Sequence, residues 1–180
     1  MMRKNVKQLS TNAMLAAMCA VLGAVSLDLG NIKITLESIP VILGALLFGP
    51  ADGAIIGFVG TFVYQVLRYG FSATTLLWML PHVVCGFIVG LYAKKKCFNL
   101  SVVQTIVITV IAGLVLTTLN TGVMYIDSKI YGYYSAVYIF GSMLIRYISG
   151  IAKFVAIGVL MPPLVNLLRS RFFLNGGSDA

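Results

Sequence analysis

Charged residues in this chain gather at the joints between long apolar stretches. Of 180 residues, 59% are hydrophobic and only 10% are charged, with a mean hydropathy of +0.98. A soluble domain carries about 25% charged residues, so the solvent this chain is built for is a lipid bilayer. At ~20 residues per span, the apolar stretches allow five or six helices, and one bundle accounts for the length. The expectation is an all-α integral membrane protein with six transmembrane helices.

The spans are placed at 9–27, 39–48, 54–67, 74–92, 102–125 and 139–168. The second is a ten-residue run, too short to cross ~30 Å of hydrocarbon alone. Gly49-Pro50 breaks it and Ala51-Asp52-Gly53 turns the chain. Ahead of it, Ile32, Ile34 and Leu36 alternate, giving the first loop extended character. Asp127–Tyr138 reads as a Tyr-rich loop at headgroup level. Pro162-Pro163 is expected to kink or loosen the last helix. The resulting division is a basic segment over 1–8, a transmembrane domain over 9–171 and a flexible tail over 172–180. The basic start and first apolar run are read as a span, not as a cleavable leader.

The formal charge of +8 would point to nucleic acid in a soluble protein. Its distribution argues otherwise. Arg3, Lys4, Lys7, Lys94, Lys95, Lys96, Arg169 and Arg171 fall on one side of a six-span plan, and Lys33, Arg68 and Lys129 on the other. That asymmetry places both termini in the cytoplasm, and anionic lipid heads are a sufficient partner for the basic loops. Cys19, Cys85 and Cys97 are widely spaced and show no metal-ligand or disulfide pattern.

Two cations break the pattern. Arg146 and Lys153 lie inside the last apolar stretch, seven residues apart. On a helix they share a face, ~10 Å apart along the axis. Charge at membrane depth is costly and faces a protein interior or a wet cavity. Asp28, Glu37 and Asp127 are placed outside or at the outer boundary, and none can satisfy both cations. The pair therefore reads as a site for an anion supplied from outside.

Other polar groups gather toward the same side. Trp78 and His82 are four apart and share a face beside Pro81, which frees a carbonyl one turn back. Gln65, Arg68 and Tyr69 end the third span, where Arg68 can also be read as snorkelling outward. Asn120 and Tyr125 end the fifth, and Asn120 can also be read as helix-to-helix glue. In the first span, Ala13, Ala16, Ala17, Ala20, Gly23 and Ala24 form small-xxx-small steps, suited to close packing within the bundle or to docking of a partner. Enzyme signatures are missing: no Ser-His-Asp order, no phosphate-cradling Gly loop with its Lys, no intramembrane carboxylate pair. With no carboxylate placed at membrane depth, a proton- or sodium-coupled carrier is disfavoured as well.

The plan of six spans, with a short second helix ending Leu46-Leu47-Phe48-Gly49-Pro50-x-x-Gly53 and Lys33-Ile34-Thr35-Leu36-Glu37-Ser38-Ile39-Pro40 before it, resembles the substrate-binding (S) component of energy-coupling factor (ECF) vitamin transporters. Gln65-x-x-Arg68-Tyr69-Gly70 followed by Thr74-Thr75-Leu76-Leu77-Trp78-Met79-Leu80-Pro81-His82 is most similar to the folate-specific members. The resemblance implies a protein of the prokaryotic plasma membrane without catalysis, cofactor or metal of its own. It would capture folate outside and deliver it through a transmembrane coupling protein and two cytoplasmic ATPases. It implies docking through an Ala-x3-Ala motif, with Ala16 and Ala20 the leading register and Ala13 and Ala17 the alternative. It also implies gating loops at 30–37 and 69–73, with Lys33, Glu37, Gly70 and Phe71 among their residues. Where many relatives carry an acid midway along the third helix, this chain reads Thr61-Phe62-Val63-Tyr64-Gln65, which argues against a cationic vitamin such as thiamine.

Folate's dicarboxylate calls for Arg146, Lys153 and Arg68, and its flat pterin for Trp78, Tyr125, Gln65, His82 and Asn120. Pantothenate, riboflavin or biotin as the vitamin, a stand-alone facilitator, and a lipid-modifying enzyme are the competing readings.

Overall fold

A computed structural model describes residues 6–25, 27–29, 32–141 and 143–174. Helix α1 spans Val6–Ala24. A two-stranded hairpin follows, β1 (Leu27–Leu29) antiparallel to β2 (Ile32–Ile34), with Leu27 opposite Ile34. Then come α2 (Ser38–Phe48), α3 (Pro50–Tyr69), α4 (Thr75–Lys95), α5 (Val102–Tyr131), the short α6 (Ala136–Phe140) and α7 (Met143–Leu174). The fold is an all-helical membrane bundle apart from this hairpin. The six expected spans correspond to α1–α5 and α7. Among the described residues, four helices are long and apolar enough to cross a membrane: α3, α4, α5 and α7.

The sequence expectation for α2 resolves toward burial. Its 11 residues are too few to span, and Ser38 and Pro40–Leu46 are all buried. It is a core helix, enclosed by α1, α3, α4 and α7. Gly49 stops it with φ at 100°, a conformation open at little cost only to glycine. Pro50 then opens α3 at its first turn, where a missing N–H costs nothing.

Several boundaries differ from the sequence reading. Helix α1 starts at Val6 and ends at Ala24, so Leu27, expected in the first span, lies in β1. Residues 51–53, expected as a turn, belong to α3, and 139–140, expected in the last span, belong to the separate α6. Helix α5 continues to Tyr131 and stops at Gly132, which takes the left-handed conformation (φ 77°, ψ 11°). The residues 127–131, expected in a loop, are therefore its last turn. Helix α7 also runs unbroken through Pro162-Pro163. The tail 175–180, residues 1–5, and the side chains of Asp28, Lys33, Tyr138 and Arg171 lie outside the described residues.

In the core, α3 and α4 approach backbone to backbone. A Cβ built on Gly86 would collide with the Gly53 carbonyl oxygen, so these backbones touch only because both residues are glycine. Around them Val41, Ile42, Ala45, Val89 and Ala93 are fully buried. Gln8 and Asn12 of α1 donate to Asp52 at 3.1 and 2.5 Å, and Phe98 packs against Gly49. Arg169 shares a small cavity with Phe98 and Ser101. The beginning and end of the described chain thus lie at the same end of the bundle as the α2–α3 and α4–α5 turns.

Candidate substrate cavity

The opposite end holds a cavity of about 770 Å³. Each helix contributes one face. Helix α3 supplies Thr61, Tyr64, Gln65 and Arg68, and α7 supplies Arg146, Ser149, Gly150 and Lys153. Both sets follow the i, i+3, i+4, i+7 spacing of one helical stripe. Helix α4 adds Trp78 and His82, and α5 adds Thr117, Asn120, Thr121, Met124, Asp127 and Tyr131. Thr35 and Glu37 enter from the segment between β2 and α2.

Of the residues singled out as ligand contacts, Arg146, Lys153, Trp78, His82, Gln65, Arg68, Tyr69 and Asn120 all line this cavity. Tyr125 does not. One residue beyond Met124, it is turned ~100° off the lining stripe. It is 40% exposed, packs edge-to-face on Tyr134 at 5.6 Å, and carries the Lys129 ammonium 5.7 Å from its ring. Phe71 is exposed and Gly70 ends α3 with φ at 76°.

The acids are not where the sequence reading put them. Glu37 and Asp127 are both buried in the cavity wall. Thr35 donates to Glu37 Oε1 at 3.0 Å, and His82 Nε2 approaches the same oxygen to 3.1 Å without hydrogen-bond geometry. Asp127 accepts from Thr74 Oγ1 at 2.5 Å, from Trp78 Nε1 at 3.4 Å and from the Tyr133 hydroxyl. Two carboxylates thus belong to the cavity wall, and each accepts hydrogen bonds from the protein. The signal for Asp127 was present in sequence: it continues the stripe of Thr117, Asn120 and Met124, once the helix is carried past Tyr125.

The cations have different duties. Arg68 Nη1 donates to the Ala24 carbonyl at 2.9 Å, closing the end of α1. Arg146 Nη1 contacts Met124 Sδ at 3.2 Å. Lys153 lies 4.6 Å from the Phe154 ring centroid and within electrostatic range of Glu37, yet has no ion pair among the described residues. Nearby, Thr61 Oγ1, Glu37 Oε2 and His82 Nδ1 are buried without hydrogen-bond partners among those residues. A buried polar group left without a partner costs about 1–3 kcal/mol. A polar ligand reaching this wall meets donors and acceptors ready to pair. No group of three or more His, Cys, Asp or Glu able to hold a metal occurs among the described residues.

With this helix plan and a polar cavity at one end, the chain matches one family model, the substrate-specific component of ECF transporters, over residues 7–168. The chain belongs to this family. An S component is the substrate-binding part of a transporter and not an enzyme, and it acts together with an ECF module. Two solved structures share the fold. One is a crystal structure of FolT bound with folic acid, with TM-score 0.61 and 19% identity over 89% of this chain and 96% of that one. The other is the S component of a bacterial ECF transporter, with TM-score 0.53 and 22% identity over 97% and 99% of the two chains. No curated protein matches the chain.

The S component's small-residue ladder on α1 divides by face. Ala16 and Ala20 are buried at 6% and 8% exposure. A Cβ on Gly60 would stand 2.9 Å from the Ala16 carbonyl oxygen, so this face packs on α3. Ala13 and Ala17 are exposed. The register placed first on sequence therefore points into the bundle, and the alternative register faces outward.

Proposed function

We propose that this S component captures folate from outside the prokaryotic plasma membrane and passes it to a coupling protein driven by two ATPases. The observation that carries the reading is the convergence of Arg146 and Lys153 on one cavity with Trp78 and His82. A dicarboxylate needs cations, and Lys153 has no ion pair among the described residues. A flat heteroaromatic ring needs an aromatic face and polar edges, and Trp78, Gln65, His82 and Asn120 offer them. The folic acid bound to FolT, a structural neighbour, favours the same ligand.

Docking on the coupling protein uses the exposed face of α1, centred on Ala13 and Ala17. The segment 30–37 and residues 69–73, from the end of α3 into the α3–α4 connection, gate the cavity. Binding of folic acid to the purified protein tests the reading: sub-micromolar affinity, competed by unlabelled folate but not by pantothenate, riboflavin or biotin, is expected. Competition by one of those vitamins instead would move the assignment to that vitamin. Uptake by the chain alone in liposomes, without ATP, would make it a facilitator.

A further inference from the structure

Asp127 has no part in the reading above, yet in the cavity wall it accepts hydrogen bonds from Thr74, Trp78 and Tyr133. We propose that Asp127 is a positioning residue: it ties the α3–α4 connection, the first turn of α4 and the segment after α5 together, and so fixes the Trp78 indole in the cavity wall.

The carboxylate is 8% exposed and both of its oxygens are taken. Oδ1 accepts from Thr74, just before α4, and from the Trp78 indole one turn later. Oδ2 accepts from the Tyr133 hydroxyl, immediately beyond Gly132 where α5 ends. Thr74 and Trp78 are 53 and 49 residues away in sequence. Hydrogen bonds to a carboxylate are roughly twice as strong as neutral ones, so one side chain sets the relation of three segments around the opening. With both oxygens occupied by protein donors, Asp127 acts on a ligand through Trp78 and Tyr133 and not by touching it. The inference rests on this cavity being the ligand site.

Trp78 is the only tryptophan in the chain, so its fluorescence reads the tie directly. In Asp127→Asn, the amide keeps one acceptor and turns a donor toward donors. The ligand-free variant is expected to show a shifted emission maximum and greater quenching by acrylamide. It is also expected to release folic acid about tenfold faster, the effect of removing roughly one charge-assisted hydrogen bond from the wall. Tyr133→Phe cuts only the tie to the segment after α5. It is expected to keep wild-type emission while releasing folic acid faster. Unchanged emission and quenching in Asp127→Asn would overturn the proposal. So would weakened binding with unchanged ligand-free emission, which would make Asp127 a direct contact. If Asp127→Asn does not fold, unchanged release from Tyr133→Phe overturns it. If the wild type binds no folic acid, the folate reading fails, while the ligand-free emission and quenching still decide the tie.

Discussion

The two ends of this bundle are built on opposite principles. At the end holding the first and last helical turns of the described residues, α3 and α4 meet through Gly53 and Gly86, and α2 is enclosed by α1, α3, α4 and α7. At the other end the same helices part around 770 Å³ of space lined by hydroxyls, amides, rings and five charged side chains. Glycine appears at both ends with different meanings: a Cβ on Gly86 strikes backbone, whereas one on Gly122 of α5 meets nothing within 4 Å. The difference teaches that the dry end is the frame. It gains its rigidity from close backbone approach, which leaves the wet end free to commit polar groups to a ligand.

The largest effect should come from breaking the frame. Gly86→Leu puts a side chain into the Gly53 carbonyl and should cost at least ~3 kcal/mol, the upper end for overpacking. Thermal unfolding in detergent should show little folded protein, while Gly122→Ala unfolds like wild type. If Gly86→Leu is as stable as Gly122→Ala, the close approach is not what holds this end.

The next effect separates the two faces of α1. Ala17→Trp should abolish folate uptake by the complete transporter and leave folate binding by the isolated S component unchanged. Ala16→Trp collides with α3 and should lower stability and binding together. Uptake that survives Ala17→Trp would remove the exposed face as the docking surface.

Much of this contrast is legible in the sequence, and the illegible part has a physical cause. The short α2, the Gly49-Pro50 break and the extended character of 32–34 follow from local rules on length, backbone conformation and alternation. The pairing of 27–29 with 32–34 is not legible, because Leu27 reads as the end of the first apolar run. Arg146 and Lys153 are conspicuous because apolar neighbours surround them. Asp127 and Glu37 are not conspicuous: each sits beside polar residues in a segment that reads as interfacial, and their burial depends on partners distant in sequence. Thr74 and Trp78 reach Asp127 only after α4 packs on α5. The two registers of α1 are likewise indistinguishable by spacing, since both are small-xxx-small, and only the packing of Gly60 on Ala16 decides which faces inward.

The wet end is tested most directly at Lys153, the cavity cation with no ion pair among the described residues. The measurement is the affinity of the purified protein for folic acid, wild type against Lys153→Met, with ligand-free stability measured alongside. A charge-assisted hydrogen bond is worth at least ~1.5 kcal/mol here, so a loss of about tenfold or more in affinity is expected. Ligand-free stability should hold, because Lys153 has no ion pair among the described residues to lose. Affinity equal to wild type, or a fall in stability large enough to explain the weaker binding, would contradict the assignment of Lys153 to the ligand.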